Sequence, residues 1–446
     1  MFWFLSTQRG TNLVIFLNLN NPSLKISVFL WKTKPMKLIF LTFLLPLLSP
    51  LSVAAGNSDE EGLVIEGEAS VQADIHSRSG ILDSRRLIYL LPSRRDINAV
   101  GMDLNAVYGS RVMARGAGLG LRYRNSSLGK FTLSAALNAD LFFAGGSDTH
   151  ILLKQACVAI DAVFPEGTSA GAEVGYGLHP MARFGPKTLW YGSAAPFNPY
   201  GYAPGLSLWG DFLGHIRVDF SLLASGDYPP TGPEGASSAY RRYSHTPEFF
   251  LSAFFHAGPW RAGAGADLVM MNPRSRGIYP YTEIDVLVGE RINAFAAFVA
   301  GEYSSRIGGM DLEIRLKGIF NRGCTHLNMF GGYFVSGIDE YGFERRYKPF
   351  NTLSAWADVS LGGALKGYAF GGYLRNVDYA GSVPYPEYVY FTSGLSDLSN
   401  AFRAGVGARY SWKRVGLWLE YNYTGARYAS GYSMDNGVCI SASFRF

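Results

Sequence analysis

Asn436-Gly437-Val438-Cys439-Ile440-Ser441-Ala442-Ser443-Phe444-Arg445-Phe446 alternates without a break. Val438, Ile440, Ala442, Phe444 and Phe446 fall on one face, and Cys439, Ser441, Ser443 and Arg445 on the other. Period two is the signature of a β-strand. The second face carries a charge and meets water, while the first ends in two aromatic rings. Two architectures use such a strand: an edge of a soluble sandwich, and a wall of a transmembrane barrel whose apolar face meets lipid. One strand does not separate them, but the number, length and spacing of similar strands does.

The pattern recurs along the chain. Ile65, Gly67, Ala69, Val71, Ala73 and Ile75 alternate with Glu66, Glu68, Ser70, Gln72, Asp74 and His76. Phe131 to Leu141 and Ile216 to Ala224 repeat it, as do 353–361, 402–412 and 415–423. Such runs have the length of about 9–11 residues that a tilted strand needs to cross a bilayer. We read strands at 63–76, 111–124, 129–142, 151–164, 168–179, 206–213, 215–225, 247–257, 259–270, 279–289, 292–303, 311–320, 324–335, 352–362, 364–375, 401–412, 414–424 and 437–446. Short links sit at 125–128, 165–167, 214, 258, 290–291, 321–323, 363 and 413. Longer ones fall between them at 77–110, 143–150, 180–205, 226–246, 271–278, 304–310, 336–351, 376–400 and 425–436. Tight turns on one side and long loops on the other are the layout of an outer-membrane barrel. The expected fold is all-β: a transmembrane antiparallel barrel of about 18 strands, 16 if 206–213 and 215–225 prove less regular, with short periplasmic turns and long extracellular loops. Phe164, Trp260, Tyr410, Trp412 and Phe444 near the short turns, and Tyr421 and Tyr423 near a long loop, fit interfacial belts. Eighteen strands with charge on every second position would leave a sandwich without a dry core, whereas a closed barrel satisfies its backbone and lets lipid cover the apolar face.

Composition agrees. Of 446 residues, 53 are Gly, 15% are aromatic and only 17% are charged. Alternation keeps the average hydropathy bland, as it does in barrels. The formal net charge of +5 misleads, because residues 1–55 hold five basic residues and no acidic one. Without them the chain is formally neutral, and nothing points to nucleic acid. Met36-Lys37, the apolar run Leu38 to Leu51 and the small residues Val53-Ala54-Ala55 form a signal-peptide pattern. The expected organisation is an over-extended start at 1–35, a signal peptide at 36–55, a short periplasmic segment at 56–62 and the barrel at 63–446.

The inward strand positions are polar, so the lumen is expected to be water-filled. On that reading Ser221→Lys is nearly neutral. The loop at 180–205, with prolines at 180, 186, 196, 199 and 204 and several aromatics, has the composition of a rigid segment that folds into the lumen as a constriction. Arg183, Lys187, Arg217, Arg241 and Arg242 would supply its cations, and Asp211, Asp219 and Asp227 would oppose them as a transverse field. Replacing Arg241 and Arg242 by Ser is then expected to shift ion preference toward cations. The function expected is diffusion of small hydrophilic solutes or ions. The rival is a non-conducting structural or adhesin-type barrel, which would carry no current. An enzyme is not expected: the seven His form no HExxH, and no Ser sits in GxSxG. Cys157, Cys324 and Cys439 have no metal-like spacing and read as small buried or lumen-lining residues. No cofactor or metal is expected.

Two resemblances sharpen this. The terminal strand resembles the closing strand of bacterial outer-membrane barrels, which implies that Phe446 is an assembly signal read by the barrel assembly machinery. The span from Glu66 to Glu248 resembles the outer-membrane porins common in Bacteroidota, related to the DcaP-like porins. Leu152-Leu153-Lys154-Gln155-Ala156-Cys157-Val158-Ala159-Ile160-Asp161, Gly175-Tyr176-Gly177-Leu178-His179-Pro180-Met181, Ala195-Pro196-Phe197-Asn198-Pro199, and Gly232-Pro233-Glu234-Gly235 followed by Tyr240-Arg241 and Pro247-Glu248 carry it. The chain departs from that pattern at Tyr176 and Leu178, where Gln and Trp are usual, and at Tyr202, where Arg is usual. The resemblance implies the outer membrane of a Gram-negative bacterium, lipid as surroundings, small solutes as cargo and a homotrimer as one admissible assembly. It does not transfer a substrate.

Overall fold

The computed structural model describes Phe2–Ser6, Thr11–Asn18, Lys25–Lys32 and Gly62–Arg445, apart from 144–148, 188–193, 279–283, 340–343 and 379–382. Two units separate at Ser52/Val53. The first, by itself, holds a three-stranded antiparallel sheet of Phe2–Ser6, Thr11–Asn18 and Lys25–Lys32. The signal-peptide reading at 36–55, nearly all of the 56–62 segment, and Phe446 lie outside the described residues.

The second unit is a closed antiparallel barrel of sixteen strands among the described residues. They are β1 (Gly62–His76), β2 (Gly109–Leu128), β3 (Phe131–Phe143), β4 (Thr149–Val163), β5 (Ser169–Leu178), β6 (Tyr202–Phe212), β7 (Ile216–Leu223), β8 (Glu248–Ala257), β9 (Trp260–Met271), β10 (Ile292–Ile307), β11 (Met310–Arg322), β12 (Asn351–Gly362), β13 (Leu365–Asn376), β14 (Leu398–Trp412), β15 (Val415–Tyr428) and β16 (Gly431–Arg445). Each pairs with its neighbours in sequence, and β16 closes on β1 from Gly437↔His76 to Arg445↔Glu68. Closure leaves no sheet edge.

Sixteen is the lower of the two expected counts, but the reason differs from the one anticipated. Segments 206–213 and 215–225 form the regular strands β6 and β7, paired without a bulge. The segments that leave the wall are 279–289 and 324–335. Asp285–Leu287 pairs with Arg276–Ile278 as a hairpin of the fifth loop. Chain 324–335 turns inward through Leu327 and Asn328, both at positive φ (57° and 54°). Asn321 fixes that turn: its Oδ1 accepts from the Cys324 amide at 2.9 Å, and its Nδ2 donates to Cys324 O and Phe330 O, both at 2.9 Å. Alternation over 324–335 is therefore the pattern of a lid strand, Gly332–Ile338, in a small sheet with Glu344–Pro349 and Val389–Phe391. The expected long link at 304–310 is a two-residue turn, Gly308-Gly309, in which both glycines take positive φ (57° and 81°), as a tight primed hairpin requires. The expected long loop at 425–436 is likewise absent, because β15 and β16 pair up to Tyr428↔Gly431.

The register is as read. Val71, Ile75, Leu137, Val299, Leu316, Leu419 and Ile440 are exposed on the outer face, and Gln72, Asp74, Asp435 and Ser441 are buried on the inner one. Phe164, Trp260, Tyr410, Trp412 and Phe444 are exposed near the tight-turn ends. Leu137 lies at the middle of β3 and Asn138 follows it facing inward. Leu137→Lys is expected to cost about 2–4 kcal/mol in lipid vesicles, and Asn138→Lys far less, as measured by urea titration. Equal costs mean a register one residue off.

Candidate functional site

The lumen is divided. The third loop (179–201) leaves β5, makes the short helix Pro180–Arg183 and runs inward. Its apolar side chains pack on the inner wall of β8 to β13. Phe184 lies 5.8 Å from Phe254 and 6.0 Å from Trp356, centroid to centroid. Phe197 is fully buried beside Phe370 and over Gly372, where a Cβ would come within 2.7 Å of its ring. Inward cations of the wall hold the loop's carbonyls. Lys317 Nζ donates to Met181 O (2.6 Å), Phe184 O (3.2 Å) and Asn198 Oδ1 (3.2 Å). Arg403 donates to Ala195 O (3.1 Å) and to Leu90 O of the first loop (2.6 Å). Arg315 donates to Gly185 O, and Trp356 Nε1 to Asn198 Oδ1 at 3.0 Å. The first loop adds Leu87, Ile88, Leu90 and Leu91, all buried, on a turn that Asp83 caps by accepting from Leu87 N and Ile88 N at 2.7 Å each.

This corrects the expectation of a uniformly wet lumen. Ser221 faces inward but is 0% exposed, with its hydroxyl 2.8 Å from that of Ser207. A lysine there is costly rather than neutral. Half the interior is a packed core, which sequence polarity alone concealed.

The other half is wet. Arg122 and Glu66 pair at 3.1 Å with side chains 51% and 47% exposed, against 1% for Lys317 and 3% for Trp356 on the filled side. Arg445 pairs with Glu68 (2.9 Å) and Lys154 with Asp140, while Arg111 joins the buried Asp74 (3.1 Å) to the first loop through Arg86 O and Leu87 O.

The eight anticipated constriction residues do not form one ring. Arg183 is exposed and lies 3.7 Å from Glu173. Lys187 pairs with Glu313, and its amide donates to Asp358 at 3.0 Å. Arg217 and Asp219 pair with each other at 3.0 Å on β7, and Arg217 lies 4.8 Å over the Trp209 ring. Asp211 stands opposite Arg217 in the β6–β7 register, with Oδ1 buried and without a hydrogen-bond partner among the described residues. Asp227 is a fastening residue: it accepts from Tyr202 N at 2.7 Å and pairs with Arg85 at 3.3 Å. Burial raises its carboxyl above the usual range despite those two partners. Arg242 is exposed at the outer surface of loop 224–247.

Arg241 is 7% exposed, so it presents no free charge to a channel. It donates to Glu248 and, at 3.0 Å, to Leu223 O. Glu248 also takes His179 Nε2 and lies 3.3 Å from His326 Nε2, which is 3.2 Å from Asp267 Oδ2. Burial pulls the His326 imidazole down, but the facing Glu248 and Asp267 carboxylates outweigh it and lift the group to about 9. The cluster joins the third, fourth and sixth loops to β8 and β9. It was not anticipated, because its members span positions 179 to 326. The signal that existed lay in the resemblance: His179, Arg241 and Glu248 belong to the quoted His-Pro-Met, Tyr-Arg and Pro-Glu motifs, and all three converge here.

No family model matches the chain, and no curated protein does. Solved structures match the fold. The outer membrane channel DcaP of Acinetobacter baumannii superposes with a TM-score of 0.61 at 12% identity, over 86% of this chain and 98% of that one. OmpF of Salmonella typhi, in complex with daunomycin, gives 0.53 at 11% over 86% and 98%. An anion-selective porin from Comamonas acidovorans gives 0.50 at 12% over 87% and 100%. The chain thus has a porin-type barrel.

Proposed function

We propose that this protein is a porin of the outer membrane of a Gram-negative bacterium, related to the porins of Bacteroidota, through which small hydrophilic solutes or ions diffuse. One observation carries the reading: an inward-folded loop fills one side of the lumen, and paired, water-exposed charges line the other. A filled structural barrel has no use for that asymmetry. The cations and acids neutralise each other in neighbouring pairs along the wall, so the passage carries no single sign of charge, and its selectivity is mild. Arg183, Arg217 and Asp219 belong to this lining; Lys187, Arg241 and Asp227 fasten loops instead. The protein refolded into a planar bilayer is expected to conduct in discrete steps, and a silent barrel would replace the porin reading with a structural one. Arg122→Ser together with Arg183→Ser is expected to move the reversal potential in a salt gradient toward cations, and an unchanged potential removes these two from the path.

The reading includes delivery by the barrel assembly machinery through the C-terminal strand and assembly as a homotrimer. Deleting Phe446 is expected to lower folded barrel in cells while sparing refolding in detergent. Equal loss in both makes Phe446 a packing residue.

A further inference from the structure

We propose that Glu248, Asp267 and His326 form a binding site for a divalent first-row transition cation at the joint between the barrel wall and its inward loops. The site lies apart from the wet passage, and the inference stands whether or not the barrel conducts.

Geometry comes first. His326 Nε2 is 3.2 Å from Asp267 Oδ2 and 3.3 Å from Glu248 Oε1. Donor atoms that surround one ion at about 2.0–2.2 Å each are separated by distances of this order. The corresponding atoms of Glu248, Asp267, His326 and His179 all lie within 4.8 Å of one another, and all four residues are buried.

Hydrogen bonding sorts these four into ligands and supports. The His179 Nδ1 accepts from the Met181 amide at 3.1 Å. A neutral His179 therefore carries its proton on Nε2 and donates it to Glu248, as it stands in contact with Oε1. That nitrogen has no lone pair for a metal. His179 on Oε1 and Arg241 on Oε2 instead orient the Glu248 carboxylate, which is the usual task of residues that back a ligating carboxylate.

A second observation points to a missing partner. Asp267 is 0% exposed, yet its Oδ1 has no hydrogen-bond partner among the described residues. A buried carboxylate oxygen left bare is costly, and a bound cation would use it. Two buried carboxylates also place two negative charges together, against one permanent cation, Arg241. One negative charge remains, and either a proton on His326 or a divalent cation that takes its place offsets it. One imidazole with two carboxylates suits zinc or manganese better than calcium, which prefers oxygen throughout.

An ion here would tie β8 and β9 to the sixth loop, and through His179 and Arg241 to the third and fourth. It would bind the folded chain and not the unfolded one, and so stabilise it.

The test uses the full barrel, refolded in the presence of a chelator, freed of it, and titrated with Zn²⁺ alone. Metal retained after desalting is measured by mass spectrometry, and the unfolding temperature is read with and without Zn²⁺. The parent is expected to retain one equivalent and to unfold at a higher temperature. Asp267→Asn and His326→Gln, which keep side-chain size, should lose both effects while still migrating as folded barrels. A parent that retains no stoichiometric Zn²⁺ and shows no thermal shift overturns the proposal, and Arg241 with a protonated His326 then neutralises the pair. Undiminished uptake by both variants overturns it as well. If the variants fail to fold, the parent's retention and thermal shift alone decide.

Discussion

Removal of residues 186–201 is expected to raise single-channel conductance severalfold. The loop they belong to occupies the side of the lumen walled by β8 to β14, where Phe184, Phe197 and Trp356 form a dry core. Wall residues there, among them Lys317, Arg315, Asp358 and Arg403, are polar and face inward. Without the loop they meet water, which satisfies them, so the emptied half adds to the conducting cross-section. The barrel itself should survive. Its backbone groups are paired strand to strand around a closed circuit, and its outer apolar face is covered by lipid. The measurement is conductance in symmetrical salt, with uptake of sugars of graded size into vesicles as a second reading. Conductance equal to the parent's would mean that current does not pass beside this loop.

How far the sequence carried this picture depends on what each residue answers to. The outer face answers only to lipid, so alternation and interfacial aromatics read it well: Ile440, Phe444 and Leu137 stand where period two puts them. Tight turns at Gly214 and Gly258 were legible for a similar reason, since a glycine at positive φ supplies local geometry, whereas Gly308-Gly309 was read as part of a long link. The inner face answers to whatever folds onto it. Ser221 and Lys317 have the composition of wet positions and are dry; a loop distant in sequence covers Lys317. Arg241 shares that fate: as a loop arginine it read as free charge, and a carboxylate seven residues on, Glu248, claims it. Segment 324–335 alternates like a wall strand, and Asn321, just before it, fixes the turn that bends it into the lid. The third loop's inward course was readable from its prolines and aromatics, but what anchors it was not.

Those anchors carry the second large effect. Lys317→Met is expected to release the third loop without opening the barrel. The ammonium sits in the dry half, 4.6 Å over the Phe298 ring, with no carboxylate among the partners it donates to. All three are oxygens of the loop, so the cation's solvation has been replaced by the loop itself. Methionine fills similar space and strands two acceptors, Met181 O and Phe184 O, at about 1–3 kcal/mol for each that stays buried, while Asn198 Oδ1 keeps the Trp356 indole. The cheaper response is for 181–198 to move until water reaches those oxygens, a local opening below the global transition. Arg403→Met removes a second anchor, at Ala195 O. Each single variant should increase current noise and quicken amide hydrogen exchange in 181–198, with the β-strand amides unchanged. The double variant should approach the conductance of the deletion, and its effect should exceed the sum of the singles, since either anchor alone still restrains the loop. If Lys317→Met conducts and exchanges like the parent, the loop is held by the burial of Phe184 and Phe197 alone, and the lysine merely fits a site that packing has already fixed.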